Sequence, residues 1–122
     1  MEHLVNWIEI PVSDLNRAVK FYTAILDVTG FTRMEMGGND YALFPTNDRF
    51  NAGTLVKGDF YKPSADGVTI YLDGGNDLSV VLNRVAKAGG TVVMEKTFLG
   101  NEAGHVGMFI DSEGNKIGLQ HP

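Results

Sequence analysis

The sequence predicts an α+β fold: two tandem βαβββ modules whose mixed sheets form a curved, open barrel-like cavity. Three observations carry that prediction. Two amphipathic helical stretches each follow a strand-like run, three strand-like runs follow each helix, and the halves match at a constant offset of 63 residues. The match sets Asp14-Leu15 and Ala18-Val19 against Asp77-Leu78 and Val81-Leu82. A repeat of this size restricts the fold more than any single motif does.

The first strand spans residues 5–12. Beyond Ser13-Asp14, apolar residues at Leu15, Ala18, Val19, Tyr22, Ile25 and Leu26 mark one face of a 3.6-residue helix. Asp14 suits its N-cap, because a carboxylate accepts from the free first-turn amides, and Gly30 follows as a stop signal. Runs rich in β-branched and aromatic residues at 32–36, 41–44 and 54–56 complete the first module. The second module repeats the plan. A strand at 67–72 precedes a helix with Leu78, Val81, Leu82, Val85 and Ala88 on one face, which Gly89-Gly90 closes. Strands at 91–95, 107–110 and 116–120 follow, and Gly37-Gly38-Asn39-Asp40 and Ser112-Glu113-Gly114-Asn115 read as turns.

One domain is expected over residues 1–122, with modules of about 1–62 and 63–122 joined near Tyr61-Lys62-Pro63-Ser64. Each half has too little apolar surface to be stable alone, so the halves should pack together. One helix covers only one face of a sheet. The opposite faces are left to form a shared concavity where a ligand would sit.

Composition narrows the function. A net charge of −5 argues against a nucleic-acid partner, which needs clustered Lys and Arg. No apolar run approaches the roughly 20 residues of a membrane helix, so no membrane partner is expected. The absence of cysteine removes disulfides, thiolate metal sites and cysteine nucleophiles, and together with the start Met1-Glu2-His3 points to the cytoplasm. Neither a phosphate-binding G-x-x-x-x-G-K-[ST] loop nor a G-x-S-x-G elbow is present. His3, His105 and His121 lack metal-ligand spacing; the first and last are expected to be solvated, and His105 lies at a loop–strand boundary.

Val5-Asn6-Trp7-Ile8-Glu9-Ile10-Pro11-Val12-Ser13-Asp14-Leu15, with Phe21-Tyr22 and Leu26, resembles the opening of the vicinal oxygen chelate superfamily of glyoxalases, bleomycin-resistance proteins and extradiol dioxygenases. Ala88-Gly89-Gly90 and Asp111-Ser112-Glu113-Gly114-Asn115 resemble its GG and D-P-x-G-N signatures, with Ser112 in place of proline. The likeness spans nearly the whole chain. It implies the fold already read from the repeat, and a homodimer. It also implies a metal site with His or Glu at four strand positions, which fall here on Trp7, about Thr69, about Thr54 and Gly118. Indole and glycine offer no side-chain donor and a Thr hydroxyl is a poor one, so no cofactor is expected and a divalent metal is disfavoured.

Strand alternation assigns sides without the family. Ile8 and Ile10 share the helix face, and Trp7 and Glu9 point into the concavity. Thr69 and Tyr71 in the second module, with Lys116, Gly118 and Gln120 on the last strand, face the same way. Phe109 is expected to join them, as are Tyr41 and Phe44. Aromatic walls with few polar groups suit a small molecule, and Glu9 is the candidate general base or cation-binding group. The leading reading is a small-molecule-binding protein without the family's usual metal, its ligand held in an aromatic-lined cavity. The alternative is a glyoxalase-like lyase or isomerase using Glu9 as general base; a third is an assembly module with a filled seam.

Overall fold

A computed structural model describes residues 1–47 and 53–122. The chain runs β1 (Ile8–Pro11), α1 (Leu15–Leu26), β2 (Thr32–Met36), β3 (Asn39–Leu43), β4 (Gly53–Lys57), β5 (Ile70–Asp73), α2 (Leu78–Ala88), β6 (Thr91–Phe98), β7 (His105–Ile110) and β8 (Lys116–His121). The strands form two four-stranded sheets, ordered β1-β4-β3-β2 and β5-β8-β7-β6. In each, the first strand of the module pairs parallel with its last, and the remaining pairs are antiparallel. These are the two tandem modules predicted from the repeat; their sheets are curved and do not close into a barrel.

The first strands are shorter than expected. β1 begins at Ile8 and β5 at Ile70, so Trp7 and Thr69 lie just outside the ladders. Each helix covers one sheet face, and α1 also packs on α2, which merges the modules into a single core. Ile10, Phe21, Tyr22, Ile25 and Leu55 meet Leu78, Leu82, Val85, Phe109 and Leu119 there. Phe21 stands edge-on to Tyr22 at 5.1 Å and 5.9 Å from Phe109. Among the described residues no helix is long and apolar enough to cross a membrane.

Both helices begin as the sequence predicts. The Asp14 carboxylate accepts from the Arg17 N–H at 3.0 Å and Asp77 from the Ser79 N–H at 3.0 Å. The end of α1 differs, because the chain turns at Asp27, in the left-handed region at φ 54°, three residues before Gly30. A residue with a Cβ is strained there. Asp27→Gly is therefore expected to raise unfolding stability by about 0.5–1 kcal/mol, read as a higher urea midpoint.

The turn after β7 staples the modules together. Glu113, whose side chain is fully buried, accepts from the Ser13 N–H at 3.0 Å and the Asp14 N–H at 2.9 Å, and pairs with Arg17 at 2.7 Å. Burial alone would raise its carboxyl pKa, but the Arg17, Asp14, Ser112 and Ser13 hydrogen bonds outweigh it and hold the value below the ordinary 4.5. A depressed carboxylate contributes stability above its unfolded pKa and loses it as pH falls through the folded one. The stability gap between wild type and Glu113→Gln is thus expected to be full at pH 7 and to shrink below about pH 4.5, in urea titrations at stepped pH.

Candidate functional site

The helix-free face of the first sheet carries two rows fixed by register. One runs Glu9, Thr54, Leu43; the other runs Pro11, Val56, Tyr41, Met34. Glu9 is half-buried, with Ile8 and Ile10 turned the other way as alternation requires. Its carboxylate is oriented by a residue that strand logic does not reach: Tyr61, beyond β4, donates its O–H to Glu9 Oε1 at 2.8 Å. That hydrogen bond, with burial and the adjacent negative charge, raises the Tyr61 phenol to about 12, and Tyr41 adds to the effect. Gly58 makes the arrangement possible. A methyl there would fall on the Asn39 amide and lie 3.3 Å from the Tyr61 ring.

The helix-free face of the second sheet carries Tyr71, Gly118 and Met108 in one row, and Asp73, Gln120 and Val106 in the next. The Tyr71 ring lies in the space that a side chain on Gly118 would occupy. Gln120 donates to the Ala103 carbonyl at 2.6 Å.

Two expected lining residues sit elsewhere. Phe109 is fully buried on the helix side, because the β7–β8 register sets it opposite Ile117 and against Phe21. Met108, opposite Gly118, takes the place foreseen for it. Phe44 follows the end of β3 and turns into the core, its ring 5.5 Å from Tyr22 and 5.1 Å from Phe31. Of the aromatic residues, Tyr61 bonds Glu9 with Tyr41 beside it, whereas Tyr71 lies against Gly118 on the second sheet and Trp7 is 40% exposed. His121 is buried, not solvated: its ring stacks on His105 at 4.7 Å, its Nε2 makes no hydrogen bond, and Phe98 lies 5.0 Å from His105.

A crevice of about 290 Å³ opens where β1 approaches β5 and β8. It brings Glu9 and Lys116 together, with Pro11, Lys62, Asp66 and Ile70 on its walls. Lys62 and Asp66 belong to the connection between modules, which sequence reading treated only as a joint. A wider hollow of about 580 Å³ lies at one end of the first sheet, bounded by Asp14, Arg33, Asp40, Tyr41 and Lys57. All its walls come from one module, and of the expected site residues only Tyr41 reaches it.

Paired βαβββ modules, each with a covered and a bare sheet face, define a class of duplicated-module proteins. The sequence matches the family model of the Glyoxalase/Bleomycin resistance protein/Dioxygenase superfamily over residues 4–119, and the chain belongs to that superfamily. No curated protein matches it. Among solved structures it is similar to a glyoxalase/bleomycin resistance protein from Albidiferax ferrireducens T118, at 20% identity and TM-score 0.69 over 98% of this chain and 99% of that one. A glyoxalase/bleomycin resistance protein/dioxygenase domain from Frankia sp. EAN1pec gives 21% identity and TM-score 0.71, covering 98% of each chain. TnmS3, an antibiotic binding protein from Streptomyces sp. CB03234, gives 21% identity and TM-score 0.65 over 98% of this chain and 96% of that one. At these identities the likeness is one of fold.

The residues present do not fit the family's metal. Trp7 and Gly118 supply no donor, and Tyr71 already fills the space beside Gly118. Thr54 is fully buried and donates its hydroxyl to the Leu55 carbonyl at 2.8 Å. Thr69 alone would leave an ion nearly all its ligands short. Among the described residues no group of three or more His, Cys, Asp or Glu is placed to hold a metal ion.

Proposed function

We propose that this chain is a small-molecule-binding member of the superfamily that works without its usual divalent ion, holding its ligand around Glu9. The carrying observation is the donor set at the family's ligand positions: Trp7 and Gly118 offer no side-chain ligand, and the buried Thr54 hydroxyl is committed to the Leu55 carbonyl. The Tyr61 and Tyr41 rings beside Glu9 support the reading, as does the fold shared with an antibiotic binding protein. Elemental analysis of protein purified without chelator, then thermal shift with Ni²⁺, Zn²⁺ and a panel of flat organic compounds, tests it. Metals are expected to leave the melting temperature unchanged, while at least one organic compound raises it in proportion to its concentration over Kd. A metal-dependent rise lost in Glu9→Ala would overturn the reading.

A second reading is a lyase or isomerase in which Glu9 abstracts a proton beside a carbonyl. It is favoured by the Tyr61 hydrogen bond, which orients one carboxylate oxygen and leaves the other to act. Turnover abolished in Glu9→Gln would support it. We also propose a cytoplasmic homodimer, consistent with the cysteine-free composition and with Trp7, Tyr71 and Phe98 exposed beside open sheet edges.

A further inference from the structure

We propose that the crevice between the two modules takes a small zwitterion, its ammonium held by Glu9 and its anionic end by Lys62 and Lys116. The inference rests on the ligand-binding reading above and names the class of ligand.

The crevice holds four charged side chains: Glu9 and Asp66 against Lys62 and Lys116. No ion pair joins any of the four to another. A ligand of one sign would satisfy one pair and strip water from the other without recompense, and an uncharged ligand would do so for both. A molecule carrying both signs leaves neither unmatched. Neutral polar recognition is largely used up, because Asn115 donates to the Pro11 carbonyl at 2.7 Å and to Asp111 at 3.1 Å. Its amide oxygen accepts the Ser64 N–H at 3.0 Å.

The ammonium is assigned to Glu9 and not to Asp66 on geometry. Asp66 is exposed, whereas Glu9 is half-buried and its Oε1 is held by the Tyr61 hydroxyl, which fixes the carboxylate in place. Preorganisation of this kind lowers the ordering cost of binding. Pro11 and Ile70, both half-buried, supply an aliphatic wall, and about 290 Å³ suits a compact metabolite.

Four derivatives of one amino acid separate the charges: leucine, leucinamide as the cation, N-acetylleucine as the anion and N-acetylleucinamide as the neutral form. In calorimetric or NMR titrations of the full chain, leucine is expected to bind at least tenfold tighter than each of the other three. Glu9→Gln and Lys116→Gln are each expected to remove that advantage, with melting temperatures showing that both variants remain folded. Equal binding of the neutral form would overturn the zwitterion while leaving ligand binding intact. Leucinamide binding as tightly as leucine would overturn it in favour of a plain cation site. No binding by any of the four would also overturn it, and the panel of flat organic compounds would then judge the broader reading separately.

Discussion

Asp111→Ala is expected to lower the free energy of unfolding by about 3–5 kcal/mol, because it strands several buried donors at once. Asp111 is 3% exposed and accepts four hydrogen bonds. The Tyr22 O–H reaches it from α1 at 2.6 Å, the Glu113 and Asn115 N–H groups close the turn at 2.8 and 3.0 Å, and the Asn115 amide adds one at 3.1 Å. Tyr22 has no exposed surface, so its hydroxyl finds no water when the acceptor goes. Burial and the facing carboxylate push the Tyr22 phenol well above its ordinary pKa, which keeps it the proton donor of the pair. Tyr22→Phe removes one donor and leaves Asp111 three, so its cost should be smaller, roughly 1–2 kcal/mol. The double variant should fall short of the sum of the singles, as residues in one network do. Urea unfolding of the three variants is the measurement. A loss below about 1 kcal/mol for Asp111→Ala would show that the turn is not what joins α1 to the second sheet.

The same network marks where sequence reading works and where it stops. The caps at Asp14 and Asp77 and the sides of Ile8, Glu9 and Ile10 were legible because each depends on neighbours a few residues away, and the repeat because the same local pattern recurs 63 residues on. Phe109 was not. Alternation within Gly107-Met108-Phe109-Ile110 fixes which residues share a face, but only pairing with β8 decides which face is the core. Phe44 failed for another reason, since it lies one residue beyond β3, where alternation no longer applies. The Tyr61–Glu9 bond joins residues 52 apart in sequence, through a connection with no periodicity to read. Its one cue is Gly58, and a lone glycine in a loop has too many ordinary uses to single out. His121 looked terminal and wet, but β8 runs on to include it and stacks it on His105.

Two glycines that look alike in this fold are expected to tolerate alanine very differently. At Gly90 a methyl would meet the Ile110 carbonyl oxygen at 2.5 Å and the Phe21 ring at 2.8 Å. Neither neighbour can retreat. The oxygen is backbone at the end of β7, and Phe21 is 1% exposed, wedged against Tyr22 and Phe109 where the modules meet. Gly90→Ala should therefore cost about 2–3 kcal/mol, the upper part of the range for overpacking a core. At Gly118 the obstacle is the Tyr71 ring, which is 45% exposed and free to rotate toward water. Gly118→Ala should cost less than about 1 kcal/mol, with part of that offset by the lower chain entropy of alanine in the unfolded state. Matched urea midpoints decide between them. If Gly118→Ala were the costlier of the two, the Tyr71 ring would have to be locked in place, and the bare face of the second sheet would be a packed surface with no role in admitting a ligand.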